Sequence, residues 1–136
     1  MADKIVLEIV TPDRRVLNLD VDEVVLPSAN GSMGVLYGHA PTLCELDVGE
    51  VSYRNGQDRQ YLAVSGGFAE VLRDKVNVLA RTTEEAGEID LDRAQRAKAA
   101  AEANLKRDDA EATYGRAAVK LKRALCRIDV HARARN

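Results

Sequence analysis

Apolar and polar positions follow two different periods along this chain, and the change falls near Glu88. Before it, short runs alternate with period two, the pattern of strands with one covered face. Residues 4–10 (KIVLEIV) form the first run, closed by the turn chemistry of Thr11-Pro12-Asp13. Residues 15–26 alternate as one long pattern, apolar on both sides near its end, which suits a strand covered on one face and partly on the other. Residues 27–32 predict a loop, 34–38 a short strand, and Gly38-His39-Ala40-Pro41 a tight turn in which Pro41 holds Ala40 extended. Residues 43–48 and 50–54 predict two further strands, and Asn55-Gly56 a hairpin into residues 59–64. The pair Gly66-Gly67 predicts a bulge or a close approach of backbones, with strands at 68–72 and 75–80 after it. Short strands at this spacing predict a small β-sandwich or flattened barrel.

Past Glu88 the period becomes helical. Leu91, Ala94, Ala97, Ala101 and Leu105 share one face, and Asp90 stands where an N-cap belongs. The polar, aperiodic Arg107-Asp108-Asp109 predicts a reversal. A second helix follows with Tyr114, Ala117, Ala118, Leu121, Ala124, Leu125 and Ile128 on its apolar side. Two helices with a short connection predict an antiparallel hairpin. Opposite the apolar side, Arg116, Lys120, Arg123 and Arg127 form a stripe at i, i+4, i+7 and i+11. Like charges at i,i+4 cost tenths of a kcal/mol per pair, so the stripe predicts an anionic client. The arm is rich in alanine, and each Ala in place of Leu forgoes roughly 2 kcal/mol of burial at ~0.8 per CH₂. A weakly held element is one available for movement.

Charge sharpens the division. Net charge is −2, yet residues 1–85 carry 8 basic and 14 acidic side chains, and residues 86–136 carry 12 basic and 8 acidic. The predicted sandwich is thus acidic and the arm basic. Met1-Ala2-Asp3-Lys4 leads straight into a strand pattern, so no signal or transit peptide is expected, and no run is long enough for a membrane span. Cys44 and Cys126 form no ligand-spaced cluster, and two histidines, His39 and His131, argue against zinc. The phosphate-loop pattern Gly-x-x-x-x-Gly-Lys-Ser/Thr is absent, so Ser65-Gly66-Gly67 is no phosphate-cleaving loop. No independent catalytic activity is expected. Five aromatics, none interleaved with the basic stripe, argue against single-stranded nucleic acid.

Three strings give the chain a family resemblance: GVLYGHAP at 34–41, YLAVSGGFAEV at 61–71 and VNVLA at 76–80. With Ile89-Asp90-Leu91-Asp92-Arg93-Ala94 opening the arm, the chain resembles the ε subunit of bacterial-type F-type ATP synthases over essentially its whole length. The resemblance implies a β + α fold: an N-terminal sandwich of about ten strands (residues 1–86) followed by a C-terminal antiparallel two-helix hairpin (87–136). It implies a non-catalytic rotor subunit whose sandwich clamps γ and sits on the c-ring, with Ser32, His39 and Cys44 as candidate contacts. It also implies a hairpin that folds down on the sandwich or extends into the α/β catalytic head to inhibit ATP hydrolysis. The inhibitory basic face would be Arg116, Lys120, Lys122, Arg123 and Arg127.

Some members of the family bind one ATP in the folded hairpin as a regulatory ligand. Their motif matches Glu84, Ile89, Asp90, Arg93, Ala94, Arg116, Arg123 and Arg127 here. Guanidinium groups suit phosphates and a carboxylate suits the polar edges of a nucleotide. Two positions depart from the pattern: Ala100 stands where ATP-binding members can carry an arginine, and Ser32 where some carry an acid toward the c-ring. The resemblance further implies a peripheral place on the cytoplasmic face of the bacterial plasma membrane, reached through the complex, with no nucleic-acid partner. The competing expectation is a free-standing module whose basic arm grips an acidic protein or nucleic acid.

Overall fold

The computed structural model describes residues 3–106 and 111–133, the side chains of 111–114 excepted. Strand β1 (Ile5–Val10) sets the pattern, with Ile5, Leu7 and Ile9 pointing into the core and the residues between them half-buried. It pairs antiparallel with β2 (Arg15–Val21) and parallel with β7 (Lys75–Ala80). Strands β3 (Glu23–Ser28) and β4 (Gly31–Leu36) form a hairpin, and the long strands β5 (Thr42–Asn55) and β6 (Asp58–Val71) form another. The short β8 (Thr83–Glu85) pairs with the first half of β6, whereas β7 pairs with the second half. One strand therefore serves both layers of the sandwich. The core between them is aliphatic, with Leu26, Val35, Val51, Leu62, Val71 and Val76 among its fully buried members.

Eight strands appear among the described residues: two pairs of predicted strands are each continuous, while the single run over 15–26 divides in two and Thr83–Glu85 adds a strand that the pattern does not show. In β5 the core-facing residue is Leu46 before Gly49 and Val51 after it; in β6 it is Leu62 and Val64 before Gly66-Gly67, then Ala69 and Val71. The phase of alternation reverses at the glycines while the β5–β6 ladder runs on. A reversed phase reads as a strand end in sequence. Gly67 makes this possible: its φ is +127°, and a Cβ there would stand 2.1 Å from the Leu79 carbonyl oxygen. The predicted close approach of backbones is what is found.

Two smaller expectations change. The single pattern over 15–26 is broken at Asp22, where the chain leaves β2 beside β1 and enters β3 between β4 and β5. The Asp22 carboxylate accepts the Gly56 amide at 2.6 Å and pairs with Lys4 at 3.0 Å, pinning this corner to the β5–β6 turn. The Gly56 hydrogen bond, then Lys4, holds its pKa below the usual carboxylate value. The predicted loop at 27–32 is mostly strand. Pro27 is tolerated because the β3–β5 register shifts between Val25 and Ser28, where a missing N–H costs no ladder bond.

After β8 a single 3₁₀ turn (Ala86–Glu88) leads to helix α1 (Leu91–Leu105), and α2 (Glu111–Arg133) packs back against α1. The reversal expected at Arg107-Asp108-Asp109 lies outside the described residues. Asp90 is the N-cap: its side chain accepts the Arg93 amide at 3.1 Å. Asp90→Ala is expected to cost about 1 kcal/mol of arm stability, read as lower helicity and faster amide exchange in the first turn of α1, with the sandwich unaffected. The helices meet through small side chains, with Ala94 and Ala101 of α1 and Ala117 and Ala124 of α2 all buried. Among the described residues no helix is long and apolar enough to cross a membrane.

Candidate functional site

Helix α2 touches two things at once: α1 on one side and the outer face of β5 and β6 on the other. The second contact centres on a small apolar cluster, Ala63 of β6, Ile89 before α1 and Val130 of α2, with Tyr61, Ala86 and Cys126 around it. Burial beside the carboxylates of Glu50 and Asp129 pushes the Cys126 thiol up to about 11.

Ion pairs surround this cluster. Lys122 reaches Asp47 at 2.5 Å, Arg127 reaches Glu84 at 2.5 Å, and Arg133 reaches Glu50 at 2.7 Å while its guanidinium lies 5.6 Å from the Tyr61 ring centroid. Each pair joins α2 to a strand, so the basic arm and the acidic sandwich neutralise one another across their contact. All are partly solvated, which keeps each near the 0–1 kcal/mol of exposed pairs. The stripe of Arg116, Lys120, Arg123 and Arg127 is therefore not wholly opposite the packed side. Arg116 and Lys120 are exposed, but Arg123 and Arg127 turn toward the sandwich. The reason is that α2 buries two faces, and a wheel drawn for one apolar face misplaces the residues of the other.

Between β8, the 3₁₀ turn and both helices lies an open cleft of about 300 Å³, lined by Glu84, Glu88, Asp90, Arg93, Ala94, Ala97 and Arg127. Five of the candidate ATP residues thus meet at one place: Glu84, Asp90, Arg93, Ala94 and Arg127. Ile89 supports it from below as part of the apolar cluster, 7 % exposed. Arg123 lies behind the Glu84–Arg127 pair, in a separate small cavity that shares those two residues as a wall. Arg116 lines neither. Ala100 is exposed on α1 and also stands apart from the cleft.

Within the cleft Asp90 is committed to its cap, and Arg127 to Glu84. Glu88, absent from the sequence expectation, accepts the Glu85 amide at 3.2 Å and pairs with Arg14 of the β1–β2 turn at 3.2 Å. The Glu85–Glu88 spacing of a capping box was the available signal for it. For Asp47, Glu50 and Tyr61 no local signal exists, since their partners lie far along the chain.

At the other end of the sandwich, His39 uses Nδ1 on the Ala40 carbonyl at 2.8 Å and so satisfies its own turn. Ser32, exposed on β4, lies instead on the arm's side, lining a cleft with Pro27, Gly49, Lys122 and Arg133. Cys44 is half-buried and packs on the core, and its neighbour Leu43 is exposed. Leu43 (75 % exposed), Phe68 (54 %) and Leu79 (59 %) share one outer face, Phe68 directly opposite Leu79 and diagonal to Leu43. Among the described residues no cluster of metal-ligating side chains occurs.

Comparison with known proteins places this arrangement. Residues 4–86 match the model of the ATP synthase delta/epsilon chain β-sandwich domain, and residues 88–131 that of its long α-helix domain. The chain is 48 % identical over 130 residues to the ATP synthase epsilon chain of Syntrophobacter fumaroxidans, covering 96 % of this chain and 97 % of that one. It is 46 % identical over 124 residues to the epsilon chain of Bacillus cytotoxicus, covering 91 % and 93 %. A chain in the cryo-EM structure of Euglena gracilis mitochondrial ATP synthase (OSCP/F1/c-ring) superposes with a TM-score of 0.82 at 25 % identity, over 98 % of this chain and 82 % of that one. Sandwich and arm each match in the same order and at nearly full length, so the chain belongs to the delta/epsilon family of ATP synthase subunits.

Proposed function

We propose that this chain is a non-catalytic rotor subunit of the central stalk. Its sandwich would join γ to the c-ring, and its arm would switch between the docked pose and an extended, inhibitory one in the α/β head. The observation that carries the reading is the character of the arm's contact with the sandwich. It rests on one small apolar cluster and three partly solvated ion pairs, Lys122–Asp47, Arg127–Glu84 and Arg133–Glu50. Such a contact opens at modest cost and frees the cations for another anionic surface. The exposed Leu43, Phe68 and Leu79 supply the apolar face through which the sandwich would engage its rotor partners. Membrane association, on the cytoplasmic face in a bacterium, would come through the complex.

ATP acts in this scheme as a regulatory ligand of the cleft between β8, α1 and α2. Arg93 and Arg127 supply the guanidinium groups for phosphate, and binding across both helices favours the docked arm. Arg127 would be shared between Glu84 and phosphate, which limits affinity. Two measurements test the scheme. Removing residues 89–136 should leave co-elution with γ intact and raise ATP hydrolysis by the reconstituted head; unchanged hydrolysis would reject the inhibitory role. Calorimetry of ATP into the full chain should give heat that falls at least tenfold in affinity with Arg93→Ala. No heat in the parent chain would reject the nucleotide site alone.

A further inference from the structure

The dipeptide Asn-Gly occurs twice in the chain, at 30–31 and at 55–56, and each copy stands at a hairpin turn. It is also a dipeptide prone to react with itself, because glycine puts no side chain beside its own amide nitrogen and leaves the backbone free to bend. That nitrogen attacks the asparagine Cγ. A bond forms between them, the Cγ–Nδ2 bond breaks, the amide proton passes to a solvent base, and Nδ2 leaves as ammonia. Water then opens the five-membered imide at either carbonyl, leaving aspartate or isoaspartate. As dipeptides the two copies are equivalent; in the fold they are not.

At 55–56 both reacting groups are held by others. Asn55 is the last residue of β5 and pairs with Asp58, so its backbone is extended and the turn proper is Gly56-Gln57. The Gly56 N–H donates to the Asp22 carboxylate at 2.6 Å. Asn55 Oδ1 accepts from Lys4 Nζ at 2.6 Å, and Asn55 Nδ2 donates to the Asp20 carbonyl at 3.3 Å. Ring closure needs the Gly56 nitrogen turned onto Asn55 Cγ, which takes the Asn55 backbone out of the strand region and parts both groups from these partners. Asp22 does not serve as the base. Paired with Lys4 and Arg54, its carboxylate is a poor proton acceptor, and its hydrogen bond keeps the proton on nitrogen.

At 30–31 nothing comparable occurs among the described residues. Asn30 lies within the turn between β3 and β4, with its side chain exposed. Its backbone N–H donates to Ser28 Oγ at 3.3 Å, which leaves the side-chain amide open. Gly31 pairs with Ser28 through backbone groups alone, a weaker hold than an ionised carboxylate. A Cβ at Gly31 or at Gly56 would meet nothing within 4 Å, so hydrogen bonding, and not crowding, separates the two sites.

We propose that Asn30 is a site of spontaneous deamidation in the folded protein, and that Asn55 is its guarded twin with Asp22 as the guard. The modification adds a negative charge to the β3–β4 turn and, in the isoaspartyl form, an extra backbone methylene ahead of β4. It concerns the sandwich alone and does not depend on the arm's position.

The test incubates the full chain in mildly alkaline buffer, folded and in urea, and follows both sites by peptide mass spectrometry with enzymatic isoaspartate labelling. In the folded parent Asn30 is expected to react at least about tenfold faster than Asn55, the scale on which a hydrogen bond to a charged group holds a local opening closed. In urea the two rates should converge. Asp22→Ala should raise the Asn55 rate by about tenfold while the Asn30 rate in the same sample stays at its parent value, and Asp22→Asn, which keeps an acceptor oxygen, should restore part of the protection. A rise at both sites to the urea rates would mark an unfolded variant; Lys4→Ala, which frees Asn55 Oδ1 alone, then carries the test and should also speed Asn55. Equal rates in the folded parent, a faster Asn55, an Asn30 that reacts in urea but not in the folded chain, or an Asn55 rate indifferent to both Asp22 and Lys4 would each overturn the proposal.

Discussion

A Gly67→Ala variant is expected to lose the folded sandwich, with a destabilisation of at least about 4 kcal/mol. The added methyl would have to occupy space 2.1 Å from the Leu79 carbonyl oxygen and 2.9 Å from the Ala80 Cα. Both obstacles are backbone, so no rotamer change relieves the clash. The φ of +127° adds a conformational penalty of its own, in a region that is almost exclusively glycine's. Relief would require β6 and β7 to separate at the residue where Gly67 faces both Leu46 and Ala80, and the core on either side would open with them. Gly56→Ala is the control. Its φ is +66° but nothing lies within 4 Å, so a loss of about 1 kcal/mol is expected there. Urea denaturation followed by far-UV circular dichroism measures both. A Gly67→Ala chain as stable as Gly56→Ala would show that β6 and β7 do not approach as described.

Val130→Asp should release the arm and leave the sandwich intact. Val130 is fully buried between α2 and β6, against Ala63 and Ile89. A carboxylate there has no cation to meet, because the nearby guanidiniums of Arg127 and Arg133 are already bonded to Glu84 and Glu50. Its burial would cost several kcal/mol, more than three partly solvated ion pairs return. Cys126 reports the outcome. Docked, its thiol is held near 11; released, it returns toward about 8.5, and at mildly alkaline pH the thiolate fraction rises on the order of 100-fold. In a Cys44→Ala background, alkylation of Cys126 should accelerate accordingly, while the sandwich's urea midpoint stays where it was. Unaltered alkylation would mean that the cluster does not hold the arm.

Much of this fold is legible wherever one residue acts on its near neighbours. The alternation of residues 4–10 gives β1, Asn55-Gly56 gives the β5–β6 turn, and Asp90 gives the start of α1. What escaped depends on contacts far apart in sequence. The phase reversals at Gly49 and Gly66-Gly67 divide β5 and β6 for a reader of periodicity, although the ladder between them holds them whole. Thr83–Glu85 is too short to show a period and becomes a strand only because Leu62–Val64 is there to pair with it. Of the cleft, the cap Asp90 and the apolar-face Ala94 and Ala97 are readable from local spacing, whereas Arg93 comes only with the family resemblance. That Arg127 would stand opposite Glu84, and Arg123 on the far side of that pair, follows from how α2 rolls onto the sheet. One apolar face on a helical wheel carries no information about a second.

The segment from Ala86 to Asp90, a 3₁₀ turn and a cap, is all that joins arm to sandwich. So short a tether fixes the arm's effective concentration at the sandwich in the millimolar range or above. Any surface that recruits the arm must outcompete this intramolecular rival, and a weak affinity on each side suffices for a sharp exchange between them. A detached peptide covering 111–133 loses that advantage. At micromolar concentration it should bind neither the isolated sandwich nor a distant acidic surface appreciably, even though Lys122, Arg127, Val130 and Arg133 are all present.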